Sequence, residues 1–447
     1  IALDLPFPLG KAVDAAWPLR YEVRRQQAHA NSAARDRVRV ALADRLALDY
    51  ELDATAQPAR VLRGAVGVGP QATRNLSLPA SGVSAQLQLP LLDVDAWEAL
   101  SARMSSPQGN LADASAANPA ESGATTAARA YLPTAWEVRV GELEVHERLL
   151  HDLVSNGVRE GATWRANLQS REMAGRLAFS EGVNNRPGKL QARLTRLVVP
   201  EGTSEEQAAL LTEPPANMPA LDIVADDFEL RGKKLGRLEV QAVNQDQDWQ
   251  LNTLSLRMRE ATFTARGHWR AKSASQGAPR RTELNFDLDV SDAGTLLTRL
   301  EMPGVLARGK GSLSGTVGWD GAPVSPHYPS MSGQLHLDVG AGQFLKASPG
   351  VGKLLGVLSL QALPRRLSMD FRDVFSAGFA FDFVRGDVRV QRGVAHTSNL
   401  QMKGVNAAVL MEGKADIEKE TQDLRVVVVP EINAMTASLV ATAINPV

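Results

Sequence analysis

The chain of 447 residues contains no cysteine. That excludes disulfides, thiolate nucleophiles and cysteine-ligated metals, and it fits an oxidising envelope compartment. Aromatic residues are scarce at 5%, and neither sign of charge is in excess, with 49 Lys and Arg against 50 Asp and Glu. Nucleic acid is held by neutralising its phosphates, so a net charge of −1 argues against such a partner. The same balance argues against strong electrostatic attachment to anionic lipid. No apolar run of about 18 residues is present, and no signal peptide. Ile1 rather than Met opens the chain, and a fragment of a longer protein is expected.

Organised catalytic chemistry is also missing. The histidines (29, 146, 151, 268, 327, 336, 396) are scattered. His146 and His151 are five apart, wrong for one helix face, and His-Glu-x-x-His does not occur. Residues 350–355 (GVGKLL) resemble a phosphate loop, but Leu354 occupies the hydroxyl position that would bind Mg²⁺. In NQDQDW (244–249), Asp246 and Asp248 lack the glycine and distal glutamate of a calcium loop, and a hairpin turn into Trp249 is expected. Asp226 and Asp227, adjacent on a strand, are expected on opposite faces, unable to act as a pair. No Gly-x-Ser-x-Gly elbow is found. The chain is expected to be no enzyme, to bind no metal and to need no cofactor.

What is present is alternation with period two, the mark of strands with one apolar and one wet face. Leu46, Leu48, Tyr50 and Leu52 alternate with polar residues, as do Val83, Ala85, Leu87 and Leu89. The pattern returns at Val138/Val140, Leu143/Val145, Leu177/Phe179, Phe228/Leu230 and Leu238/Val240. It continues at Leu254/Leu256/Met258, Leu284/Phe286/Leu288/Val290 and Leu335/Leu337/Val339, then at Leu367/Met369/Phe371, Phe379/Phe381/Phe383 and Val388/Val390. Short strands joined by glycine-containing or charged turns predict an antiparallel meander. Trp164 and Trp249 lie 85 residues apart (249 − 164), with Leu143 on Phe228 and Val145 on Leu230 at the same offset. That is a faint repeat, and repeated units that cannot bury their own apolar face suggest a stacked architecture.

Helices are few. Asp93 caps a predicted helix at 93–104, and Asp292 opens a shorter one to Leu300. Val351, Leu354, Leu355 and Leu358 fall at i, i+3, i+4 and i+7, an amphipathic helix over 350–360 that Pro364 stops. MTASLVATAINPV (435–447) is a further helix candidate. Residues 105–130, rich in Ala, Ser, Gly and Asn, read as a flexible loop, with smaller breaks at 200–220, 271–281 and 321–330.

Too few helices remain to cover so much one-sided strand surface. The expected fold is all-β, an elongated antiparallel meander forming a long curved groove, a trough with an open apolar lining. About twenty strands at about 4.8 Å each would extend ~90–100 Å. The expected lining is Leu143, Val145, Leu177, Phe179, Phe228, Leu230, Leu238, Val240, Leu254, Leu256, Leu284, Phe286, Leu288, Leu335, Leu337, Leu367, Met369, Phe371, Phe379, Phe381 and Phe383. A lipid acyl chain would supply the missing cover. The competing expectation is a compact, dry β-core serving as a scaffold. The helix at 350–360 is either a lid packed on the sheet or a gate at the groove end.

One stretch carries a family resemblance. Leu-Pro-Arg-Arg-Leu (363–367), Asp-Phe-x-Asp-x-Phe (370–375) and Gly378-Phe379, following the helix at 350–360, resemble the C-terminal signature of AsmA-like proteins, most closely the YhdP branch. Weaker similarity runs through LPLLDVDAWEAL (89–100), GHW (267–269) and Trp319-Asp320-Gly321. The resemblance implies a periplasmic protein, anchored in the inner membrane by a helix outside this sequence, that moves phospholipid between membranes. Outer-membrane or periplasmic proteins at its C-terminal end are implied as further partners. It divides the chain into an N-terminal groove part (1–104), the loop, a middle groove part (131–290) and a C-terminal AsmA-like part (291–447).

Overall fold

The structure is a computed structural model. It describes residues 3–430 apart from 27–33, 57–58, 106–129, 146–147, 183–186, 201–217, 246–247, 272–279, 324–325, 346–378 and 405–406. The chain packs as two units, residues 1–181 with 188–197 and residues 182–187 with 198–447. Both are built of strands, so the all-β class predicted from period-two alternation holds in each.

In the first unit β1 (Leu19–Gln26), β2 (Arg35–Leu42), β3 (Leu46–Asp53) and β4 (Arg60–Val68) pair in chain order, all antiparallel. The helix α1 (Pro70–Arg74) leads to β5 (Gly82–Asp93), and α2 (Val94–Ser105) leads from it toward β6 (Ala135–Val145). Here the antiparallel expectation fails: β5 runs parallel to both β4 and β6. A parallel neighbour needs a crossover, and α1 and α2 lie in the two crossovers. Asp93 accepts from the Ala96 amide at 2.7 Å, the cap read from the sequence. The antiparallel order then resumes through β7 (Arg148–Glu160), β8 (Thr163–Gln169), β9 (Met173–Ser180) and β10 (Lys189–Val199).

The second unit is an antiparallel meander. It comprises β11 (Ala220–Leu230), β12 (Lys233–Gln245), β13 (Asp248–Arg257), β14 (Ala261–Ala271) and β15 (Arg280–Val290), then α3 (Ala293–Arg299), the short β16 (Leu306–Arg308) and β17 (Gly311–Asp320). It ends with β18 (Ser332–Phe344), β19 (Phe379–Gln391), β20 (Val394–Gly404), β21 (Ala407–Asp416) and β22 (Thr421–Pro430). Asp292 caps α3 through the Thr295 amide at 3.0 Å. Arg299 at the end of α3 pairs with Glu260, which is 4% exposed. That hydrogen bond holds the Glu260 carboxyl below its ordinary value. Tight hairpins set the register. Arg231 and Gly232 (φ 51° and 76°) join β11 to β12, and Arg392 and Gly393 (φ 46° and 75°) join β19 to β20. Two successive positive φ angles match the twist of the strands, and glycine adopts the second at no steric cost.

Bulges alter the simple alternation. The β11–β12 register shifts between Ala225 and Phe228. Ala225 and Phe228 are both buried, while Asp226 and Asp227 between them are both exposed. The expectation that these two acids face opposite sides is therefore wrong, because the extra residue of a bulge turns both outward.

Candidate functional site

In an antiparallel ladder, residues directly opposite share a face. The register of the second unit therefore assembles three cross-strand rows. The first is Ala225, Leu238, Leu256, Phe263, Leu288, Leu313 and Leu337, ending at Gly386. The second is Ile223, Val240, Leu254, Ala265, Phe286, Gly315, Leu335 and Val388. The third is Leu221, Ala242, Leu251, Gly267, Leu284, Val317, Gly333 and Val390. Every position is apolar or glycine across eight strands, with bulges on β11 and β13 absorbed inside the ladder. Large and small residues alternate along most of the third row and around Phe286 in the second. Phe286 lies between Ala265 and Gly315, and its ring stacks on Phe263 with centroids 6.0 Å apart.

The middle of this face is half-buried, not sealed: Phe263, Phe286, Leu288, Leu313, Leu335 and Leu337 all keep partial exposure. Among the described residues β11 to β15 make their substantial contacts with the strands beside them. Fully packed clusters lie at the margins. Trp249 and Trp269, 6% and 3% exposed, face each other across β13–β14 with Leu251, Ala242 and Ala322. Trp319 stands two strands on, across Thr282, its Nε1 donating to the Ala322 carbonyl at 2.9 Å. At the other margin Phe381, Met402 and Val409 pack with Phe344 and Met411.

The predicted lining residues Leu238, Val240, Leu254, Leu256, Leu284, Phe286, Leu288, Leu335 and Leu337 are thus brought onto one face. Phe228 is buried beside it, opposite Gly236, and Leu230 ends β11 opposite Lys233. In the first unit Leu177 shares a row with Ala166 and Ala192, and Phe179 with Trp164 and Leu190. Leu143 and Val145 are half-buried after burial changes phase along β6, from Val140 across Gly141 and an exposed Glu142. Phe383 departs from the expected series. It pairs with Lys403, and the Arg385 guanidinium lies 4.0 Å above its ring, which puts it on the polar face. The register shift between Phe381 and Phe383 causes this, since it inserts an extra residue after Phe381. The backbone of Phe379 pairs with Phe344. Leu367, Met369, Phe371 and the helix residues Val351, Leu354, Leu355 and Leu358 lie outside the described residues, as do 105–130 in their greater part and 435–447.

Sequence reading missed Ile223, Leu251, Phe263, Leu313 and Val317. Phe263 alternates with threonines and Leu313 and Val317 with Ser and Thr, so period two was present, but Gly267 and Gly315 interrupt the apolar runs.

On the other face of the second unit Glu239, Ser255, Thr264, Asp287, Ser314 and His336 form a polar row. In the first unit Arg37 grips Asp49 with two bonds of 2.8 and 2.7 Å, and Arg39 adds a third at 3.0 Å. Arg35 and Arg63 hold Glu51 at 2.8 and 2.6 Å. Burial alone would raise both carboxyls; the arginines outweigh it and hold them below the usual carboxylate range.

The apolar face of the second unit, continuous over eight strands, agrees with the comparisons. The profile of the family described as "YhdP protein" matches residues 1–447. The chain belongs to the YhdP family. A relative in Escherichia coli (strain K12), "Intermembrane phospholipid transporter YhdP", is 35% identical over 130 residues, 29% of this chain and 10% of that protein. The match therefore spans about a tenth of the relative's length. No solved structure matches. Among the described residues no helix is long and apolar enough to cross a membrane.

Proposed function

We propose that this chain is part of a phospholipid conduit, in which the apolar rows carry acyl chains across the periplasm between inner and outer membranes while headgroups stay in water at the rim. The observation that carries the reading is the unbroken apolar face of β11 to β19, half-exposed at its centre. Exposing an acyl chain costs about 0.8 kcal/mol per methylene, so a 16-carbon chain crossing water meets ~13 kcal/mol. A continuous apolar floor removes most of that barrier, and because methylenes are alike the chain slides without one deep site. No chemical step is involved, and the named activity of the E. coli relative supports transport rather than catalysis. Attachment to the inner membrane, and outer-membrane or periplasmic proteins as partners, belong to the same reading. A dry scaffold would instead need a second protein layer over Phe286 and Leu335, and their partial exposure favours the conduit.

The test is uptake of a fluorescent phospholipid by the wild-type chain and by Phe286→Asp and Leu335→Asp. The conduit predicts folded variants that have lost uptake. Unfolding of both variants, the cost of a buried unpaired charge, would support the dry core.

A further inference from the structure

Beside the third apolar row, still within the second unit, the ladder lines up Asn244, Trp249, Trp269, Thr282 and Trp319. Each stands two residues along its strand from a member of the third row, so this row shares the apolar face and borders it. Tryptophan, an apolar body with one polar tip, suits a boundary between hydrocarbon and water. Several polar tips of the row are met within the protein. Asn244 Nδ2 donates to the Met218 carbonyl at 3.3 Å, Thr282 Oγ1 to the Gly321 carbonyl at 2.7 Å, and Trp319 Nε1 to the Ala322 carbonyl. Trp249 Nε1 and Trp269 Nε1, by contrast, are buried and meet no acceptor among the described residues. Trp97, Trp136 and Trp164 all donate. A buried N–H without an acceptor is costly, and these two belong to directly opposed residues of β13 and β14. Their apolar neighbours are Ala242, Leu251 and Ala322, with Met218 and Leu221 half-buried against them.

We infer, resting on the conduit reading, that Trp249 and Trp269 form a binding site for the ester carbonyls of a diacyl phospholipid, each indole N–H donating to a carbonyl oxygen. The acyl chains run from there along the third row, over Leu251, Gly267 and Leu284. The headgroup points the other way, toward Arg280, whose guanidinium lies 5.8 Å from the centre of the Trp269 ring. In such a lipid the ester carbonyls are the acceptors nearest the chains, so a donor bordering an apolar floor meets them first. Entry requires Met218 to move aside, and an unbranched methionine repacks at low cost. Two neutral hydrogen bonds make a shallow stop for a sliding lipid rather than a deep trap.

The experiment is displacement of a bound fluorescent phospholipid from the full chain by diester phosphatidylethanolamine and by its diether counterpart, which has the same headgroup and chains but no carbonyl. Wild type should be displaced by the diester at a concentration about tenfold below that of the diether, the worth of two modest neutral hydrogen bonds. Trp249→Phe and Trp269→Phe keep an aromatic ring and lose the N–H, and each should reduce that preference. Trp319→Phe, whose N–H is already taken by the Ala322 carbonyl, should retain it. The readout is a ratio within each protein, so a change in a variant's stability does not obscure it, and the wild-type ratio decides even where a variant fails to fold. Equal displacement by the two lipids in wild type, or a preference unchanged in both the Trp249 and Trp269 variants, would overturn the inference and leave the conduit standing. A chain that takes up no phospholipid of either kind would remove the conduit and this site with it.

Discussion

Strands β6 and β7 cover 135–145 and 148–160, while β11 and β12 cover 220–230 and 233–245, each 85 residues later. The registers repeat as well. Trp136 opposite Gly157 becomes Leu221 opposite Ala242, Val140 opposite Leu153 becomes Ala225 opposite Leu238, and Arg159 opposite Trp164 becomes Asn244 opposite Trp249. Two stretches with little sequence identity thus fold to one template, because hairpin position and face alternation are what the template demands. They differ in what fills it. Ser155 and Arg159 in the first copy become Val240 and Asn244 in the second. Trp164 is half-buried and donates to Glu181 at 3.0 Å, whereas Trp249 is 6% exposed in an apolar cluster. On the polar side Arg165 becomes Gln250. The closing tryptophan of the first copy is held by a carboxylate, that of the second by apolar packing.

The sharpest way to break this comparison is to truncate the two equivalent tryptophans. Trp249→Ala should cost about 4 kcal/mol in urea unfolding, and Trp164→Ala about half that, since its ring is not enclosed. Equal losses would show that the two copies are held alike. Next in size is Asp49→Asn, which weakens the Arg37 and Arg39 pairs and should destabilise the first unit by about 2 kcal/mol at pH 7. The folded Asp49 carboxyl is depressed, so its contribution is full above the unfolded value of about 3.9 and is lost as pH falls through the folded one. Melting curves of wild type and variant should therefore converge toward about pH 2. A difference that persists in acid would mean the aspartate acts through packing and not charge. Smallest is Ser155→Val, which installs the second copy's residue in the first. A gain below about 1 kcal/mol is expected from the added apolar contact; a loss would show that Ser155, the acceptor of the 3.5 Å bond from Trp136 Nε1, is needed there.

Much of this was legible in the residues. Alternation placed nine lining residues of the second unit on one face, Asp93 and Asp292 marked two helix starts, and the Trp164–Trp249 spacing marked the repeat. What escaped depends on neighbours rather than on local pattern. Nothing in β5's own alternation says that its partners run parallel; the direction follows from the crossovers around it. The bulges after Ala225 and Phe381 are fixed by the strands alongside, so Asp227 and Phe383 could not be assigned a face from period two. Glycines on the apolar face hid Leu313 and Val317 by lowering the apparent hydrophobicity of their strand.

The central claim is that acyl chains occupy the apolar rows, and lipid extraction with native mass spectrometry of the purified chain tests it most directly. The account predicts phospholipid bound in several copies, lost from a folded Phe286→Asp variant. A wild-type chain that is lipid-free and takes up no added phospholipid would contradict it.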